Sequence, residues 1–274
     1  MSQSHSGPRQ VSMNDSDPTL PAGIGSLAGQ RVIELNGSNF NEGLCDQQNQ
    51  CSSCGPHGVF FTSGTTTWKD NAGKAHRQEL MAGDEEDSTC CQRGCTCENY
   101  SFSLPVYRKD VQPNVRVATF RRDACCDSIW CTVAPVWCCC PMSSMRVTHG
   151  QTGALMGQIR QQCAVLCPAF VVYNEQRQPV YRIRGPLGHS RLCCDAVFTV
   201  HDYRDGARAA AITGTSGWCA SSCCCRCLAP RRVGEGDWQL EVTSERVSTK
   251  DRLLLMGAMT QIHWIYYGQP ACIR

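Results

Sequence analysis

Cysteine carries most of the reactive chemistry in this chain. Many of its 23 cysteines fall in runs: Cys90-Cys91, Cys125-Cys126, Cys138-Cys139-Cys140, Cys193-Cys194 and Cys223-Cys224-Cys225. Neighbouring side chains point apart, so such runs suit lipid attachment, metal binding or packing better than a disulfide framework. Cys138, Cys139 and Cys140 stand between Trp137 and Pro141, and Pro135 and Pro141 favour an extended, accessible stretch. Thiols placed this way can accept palmitate, and two or more chains give lasting attachment where one is marginal. The competing reading is a buried cysteine turn, since free cysteine packs as a small hydrophobe.

Other cysteines allow a zinc reading. Cys51-Ser-Ser-Cys54 is one close pair, and Cys91 with Cys95 and Cys163 with Cys167 are wider ones. They meet only part of the two-pair spacing that structural zinc uses. The chain has no nucleophile elbow, phosphate loop or His-Glu-x-x-His motif. His149, His189, His201 and His263 have no partner at a useful spacing. No covalent chemistry is expected.

A net charge of +2 over 274 residues gives no global pull toward nucleic acid or acidic membrane, and no nucleic-acid partner is expected. Met1–Asp17 is polar and lacks the apolar centre of a signal peptide, so a reducing, cytoplasmic setting is expected.

These thiols must be positioned by a fold, and its clearest element is Leu253–Tyr267. Leu253, Leu254, Leu255, Met256, Met259, Ile262, Trp264 and Ile265 leave no polar face, a pattern that means burial all round. Ser248 and Asp251 have capping-box spacing, Gly268 suits a helix exit, and Pro270 blocks continuation. Fifteen residues rise ~22 Å, short of the ~30 Å hydrocarbon layer. Thr260, Gln261 and His263 interrupt the run. A core helix over about 249–267 is therefore expected, with a single C-terminal span as the alternative.

Upstream, the chain repeats itself. Phe102 stands 23 residues before Cys125-Cys126, and Phe170 stands 23 before Cys193-Cys194. Val106-Tyr107 and Val172-Tyr173 follow, then polar turns with Pro113 or Pro179. Met145-Arg-Val147 leads to Gly153 and Ile159 at the spacing with which Phe198-Thr-Val200 leads to Gly206 and Ile212. Each unit alternates with period two around glycine turns and reads as strand–turn–strand. Two all-β halves predict a closed antiparallel barrel or sandwich, and a barrel offers an interior for the terminal helix. Residues 31–270 are expected to form this domain after a disordered Ser/Gly/Pro-rich tail at 1–30. Val32–Leu35 is expected as its first strand, residues 36–57 as a loop, Val59–Trp68 as β-prone and Met81–Ser88 as a solvated acidic turn.

Several segments then fall into one pattern: Ser88-Thr-Cys-Cys-Gln-Arg-Gly-Cys95, Cys138-Cys-Cys-Pro141, Phe170-x-Val-x-Asn-Glu175, Ile183-x-Gly-Pro186, Cys193-Cys-Asp195, and Trp218 after Ile212-Thr213. In this order, and with the closing apolar helix, they resemble the phospholipid scramblases over roughly Phe61 to Tyr267. The resemblance implies a mainly β fold, a tubby-like closed antiparallel barrel around a central hydrophobic C-terminal α-helix. It implies attachment to the cytoplasmic face of membranes, palmitate on Cys138, Cys139 and Cys140, and phospholipids as partners. The implied activity is Ca2+-dependent, ATP-independent, bidirectional movement of phospholipids between leaflets. A palmitoyl-anchored binding or signalling module that moves no lipid is the rival, and a zinc-stabilised domain the third reading.

The resemblance also points to calcium ligands among Glu235, Asp237, Glu241 and Glu245. The family's aspartate pair is not kept here, because the aspartate falls directly beside Trp238. Calcium takes six to eight oxygens, and Glu235 and Asp237, flanked by glycines, can reach one ion from a loop. Trp238, Leu240 and Val242 alternate as a strand, which carries Glu241 ~13 Å from Asp237 at ~3.3 Å per residue. A solvated acidic strand face is the alternative.

Overall fold

The structure, a computed structural model, describes residues 21, 24–39, 57–69, 75–84, 86, 101–108, 115–123, 143–162, 167–186, 196–214 and 238–266. Within them lie twelve strands: β1 (Val32–Asn39), β2 (His57–Lys69), β3 (Ala75–Asp84), β4 (Phe102–Arg108), β5 (Val115–Asp123), β6 (Ser144–His149), β7 (Leu155–Gln162), β8 (Ala169–Asn174), β9 (Pro179–Arg184), β10 (Ala196–Asp202), β11 (Arg208–Gly214) and β12 (Trp238–Val242). Each pairs antiparallel with the next, and β1 pairs with β12, so the sheet closes into a barrel. The expected fold class is the observed one.

Alternation decides which side chains enter the barrel. In β6, Met145 and Val147 are fully buried while Ser144 and Arg146 are partly exposed. Phe61, Phe120, Phe170, Phe198 and Ile212 line the interior in the same way. Through that interior runs α1 (Thr249–Tyr266), in which every residue from Leu253 to Ile262 is buried. Its start is fixed as its sequence predicts: the Ser248 amide and hydroxyl donate to Asp251 Oδ2 at 3.2 and 2.7 Å, and the Asp251 amide donates to Ser248 Oγ at 3.1 Å. No described helix is long and apolar enough to cross a membrane. The alternative of a C-terminal span is corrected accordingly, because α1 has found its apolar solvent inside the protein.

The duplication appears in the hydrogen bonds. In the β6–β7 turn the His149 amide donates to Ala154 O and the Gly153 amide to His149 O, at 2.8 and 2.9 Å. In the β10–β11 turn Asp202, Ala207 and Gly206 repeat this at 2.8 and 3.0 Å. Gly153 and Gly206 take φ of 69° and 71°, where a side chain would be strained. Register shifts also recur, between Val147 and Thr148 and between Val200 and His201.

Three expectations need correction. Met81–Ser88 is not a solvated turn: β3 runs to Asp84, with Met81 fully buried against β2 and β4. β1 continues to Asn39, into the stretch read as loop. The tail reading reaches too far, since Ile24–Leu27 forms a 3-10 turn packed on α1, with Ile24 and Leu27 buried.

Candidate functional site

An up-and-down barrel has two rims, and the connections sort between them. Short stretches of sequence join β2–β3, β4–β5, β6–β7, β8–β9 and β10–β11 at one rim. At the other, chain segments join β1–β2, β3–β4, β5–β6, β7–β8, β9–β10 and β11–β12, and α1 ends there. All 23 cysteines belong either to those six connections or to the sequence after α1. Cys138, Cys139 and Cys140 lie outside the described residues, in the sequence joining β5 to β6. The one described cysteine, Cys167, is a half-buried free thiol between β7 and β8.

Beneath the cysteine rim the lumen is closed by rings. Trp264 stacks on Phe102 at 5.0 Å between centroids, and His263 meets Trp264 edge-on at 5.2 Å. Trp238 approaches His263 at 6.1 Å and Phe198 at 6.2 Å. Beside them sits a buried polar cluster that sequence reading missed. Arg122, 1% exposed, points inward from β5 and donates from Nε to Ser143 Oγ at 3.1 Å. Gln261 of α1 donates from Nε2 to Ser143 O at 3.0 Å. The only sequence signal was Gln261 breaking the apolar run; Arg122 looks like any other basic residue in Arg121-Arg122-Asp123.

The opposite end is closed by charge. Lys250 and Glu175 form an ion pair between α1 and the β8–β9 turn. Burial acts to raise the Glu175 carboxyl, but the hydrogen bond from Lys250 and others outweigh it, so it titrates below its ordinary value. Tyr181 points inward from β9, where burial first and the neighbouring Asp251 carboxylate second push its phenol well above the ordinary range. Such a shift favours the neutral phenol in the fold. Its contribution is complete below the unfolded value near ~10 and is lost as pH rises toward the folded one. Thermal unfolding followed from neutral to strongly alkaline pH is thus expected to show Tyr181→Phe less stable at neutrality by about 1–2 kcal/mol. The gap should close above pH ~10; parallel curves would show that Tyr181 does not couple to folding.

The acidic candidates are not gathered by the described structure. Glu241 is exposed in mid-strand on the outer wall, opposite Ala211 and Val32, whereas Glu245 is exposed in the turn beyond β12. Glu235 and Asp237 lie outside the described residues. Among the described residues, no three His, Cys, Asp or Glu side chains could hold one metal ion. The residues called as membrane or core helix, Leu253, Leu254, Leu255, Met256, Met259, Ile262, Trp264 and Ile265, all face barrel interior, with Ile265 partly covered.

The outer wall bears on membrane placement too. A lipid-spanning barrel has strands of ~9–11 residues with an apolar outward band. Here β8 and β9 have 6 residues each, and Arg160, Arg182 and Arg184 point outward. The apolar side chains are within.

The family model described as Scramblase matches residues 71–218, which takes in β3 to β11 and with them both halves of the duplication. Phospholipid scramblase 1 of Homo sapiens is 28% identical over 116 residues, 42% of this chain and 33% of that protein. Phospholipid scramblase 2 of Bos taurus is 27% identical over 121 residues, 44% of this chain and 37% of that protein. The chain thus spans little more than a third of the curated relatives it matches. No solved structure matches. A family match over more than half of the sequence, coinciding with the strands that build the barrel, places the chain in the scramblase family.

Proposed function

We propose that this protein mediates Ca2+-dependent, ATP-independent, bidirectional movement of phospholipids between leaflets, without covalent chemistry. Membership of the scramblase family carries the reading, because the matched residues are those of the barrel itself. The interior restricts how it can work. A headgroup needs a polar path, and the lumen holds α1, capped by Trp264 on Phe102 at one end and by Lys250 with Glu175 at the other. Lipid therefore passes outside the barrel, along its surface or through bilayer it disturbs.

Palmitate on Cys138, Cys139 and Cys140 would hold the molecule on the cytoplasmic side of a membrane by the rim to which β5 and β6 lead. Acyl chains at more than one of these thiols would give stable rather than transient attachment. Calcium, in this proposal, binds next to β12 through Glu235 and Asp237. Glu241 on the outer wall and Glu245 in the turn beyond β12 are the further candidate ligands, and no step is routed through them. The sealed interior favours a second reading, a membrane-tethered binding module that moves no lipid.

The purified full chain in liposomes with fluorescent lipid in both leaflets separates the two readings. Leaflet exchange in calcium, lost on chelation and weakened by Glu235→Gln with Asp237→Asn, is the expected result. No exchange at any calcium concentration leaves the module. Acyl labelling sensitive to hydroxylamine is expected to disappear when Cys138, Cys139 and Cys140 are changed to Ser; unchanged labelling would remove that anchor.

A further inference from the structure

The net charge of +2 conceals an uneven wall. Following the register around the outside of the barrel, Arg160 on β7 is opposite Val171 on β8, which is opposite Arg182 on β9. Arg182 is opposite His201 on β10, which is opposite Arg208 on β11. Arg184 stands two residues beyond Arg182 on the same face. All four arginines are exposed, and no carboxylate among the described residues pairs with any of them. Every second strand places them roughly 10 Å apart, and Arg182 and Arg184 are roughly 7 Å apart. The shorter gap lies within the Debye length at physiological salt, about 8 Å, and the longer ones only just exceed it, so their fields overlap. At the level of Arg184 the row continues through Thr199 and Ala211 to Glu241 on β12, where the sign changes.

We infer that the β7–β11 wall, through Arg160, Arg182, Arg184 and Arg208, is a docking face for the anionic phospholipid surface of a membrane. Choosing lipid over other polyanions rests on the phospholipid reading above. The geometry supports it independently: the wall is convex and its arginines stand on three strands, β7, β9 and β11, which suits a plane of phosphates rather than one enclosed ligand. Val197, 43% exposed on β10, supplies an apolar side chain near Arg184 and Thr199 that can enter the headgroup layer. Tyr173 lies under the Arg160 guanidinium at 5.5 Å, holding that side chain on the wall rather than stacking on a base. Docking by this face would lay the barrel on its side. The sequence joining β5 to β6 departs from the rim at strands next to β7, so acyl chains and basic patch can act as paired signals.

The test uses the full chain without acyl groups, in chelator, with sedimenting vesicles of phosphatidylcholine alone or with one third phosphatidylserine. Preferential binding to the anionic vesicles, weakening steeply with salt, is expected. A surface arginine contributes roughly fivefold to such partitioning, so Arg160→Gln/Arg182→Gln/Arg184→Gln should lose on the order of a hundredfold. The matching triple change to lysine should keep most of the binding, which separates charge from damage to the fold. Arg177→Gln/Arg204→Gln, on the turn rim, is the control. Equal loss per charge from the control, or no preference for anionic vesicles by the unaltered chain, would overturn the inference. A protein that docks but exchanges no lipid leaves this face intact and removes the transport reading instead.

Discussion

A chain ending at Val247, and so lacking α1, is expected not to fold. Leu253, Leu254, Leu255, Met256, Met259 and Ile262 are each 0–1% exposed, and their burial touches most of the interior wall. At ~1.5–3 kcal/mol for each fully buried large apolar side chain, the helix contributes on the order of 10 kcal/mol. That is comparable to the whole stability of a typical domain, about 5–15 kcal/mol. Without it Phe61, Phe120, Phe170, Val147 and Ile159 would border a void that closed strands cannot collapse to fill. Circular dichroism and limited proteolysis of the shortened chain should show lost β structure and rapid cleavage. A shortened barrel that still melted cooperatively would show that the shell supports itself, and a membrane role for the helix would return.

This dependence explains which parts of the architecture could be read in advance. The α1 sequence carries its own instructions, a capping pair at Ser248 and Asp251 and apolar residues on all faces, and both appear where expected. Repeated spacing around Gly153 and Gly206 identified equivalent turns because both need the same left-handed backbone. The match of Phe102 with Phe170, by contrast, is displaced. Register shifts fall between Val106 and Tyr107 in β4 and between Val172 and Tyr173 in β8, which makes Leu104 the counterpart of Phe170. A count to the following cysteines crosses a turn of different length and loses the frame. Met81 was hidden by the acids after it: inward placement on β3 is set by pairing with Phe61, a contact between distant residues that local composition does not encode. The buried Arg122 and the row of outward arginines are likewise products of register, since their residues come from separate strands. The candidate acids are legible as a charge run, and only the end of β12 at Val242 shows that Glu241 stands on a strand and Glu245 in the turn beyond it.

Gly157→Ala is expected to be strongly destabilising while Gly257→Ala is nearly neutral, although each adds one methyl group. The two glycines lie where α1 packs against the β6–β7 wall. Gly157, on the wall, leaves room for Leu254; Gly257, on the helix, leaves room for Val147 and Ile159. A Cβ at Gly157 would sit 2.5 Å from the Tyr173 carbonyl oxygen and 2.7 Å from Leu254 Cδ2. Tyr173 belongs to the paired neighbouring strand, so its carbonyl cannot move without opening the β7–β8 ladder. Overpacking of this kind costs about 1–3 kcal/mol, and the rigid backbone partner places Gly157→Ala near the upper figure. At Gly257 the nearest atoms are side-chain carbons, Val147 Cγ2 at 3.0 Å and Ile159 Cδ1 at 3.4 Å. A shift of a few tenths of an ångström suffices there, and the ~1 kcal/mol gain in helix propensity over glycine offsets it. Denaturant midpoints for the two variants measure the asymmetry. Adding Leu254→Ala to Gly157→Ala should recover only part of the loss, less than the cavity it leaves costs, because the Tyr173 oxygen remains in the way. Equal midpoints for the two glycine variants would mean that the helix does not lie against this wall, and the packing that closes the lumen would have to be redrawn.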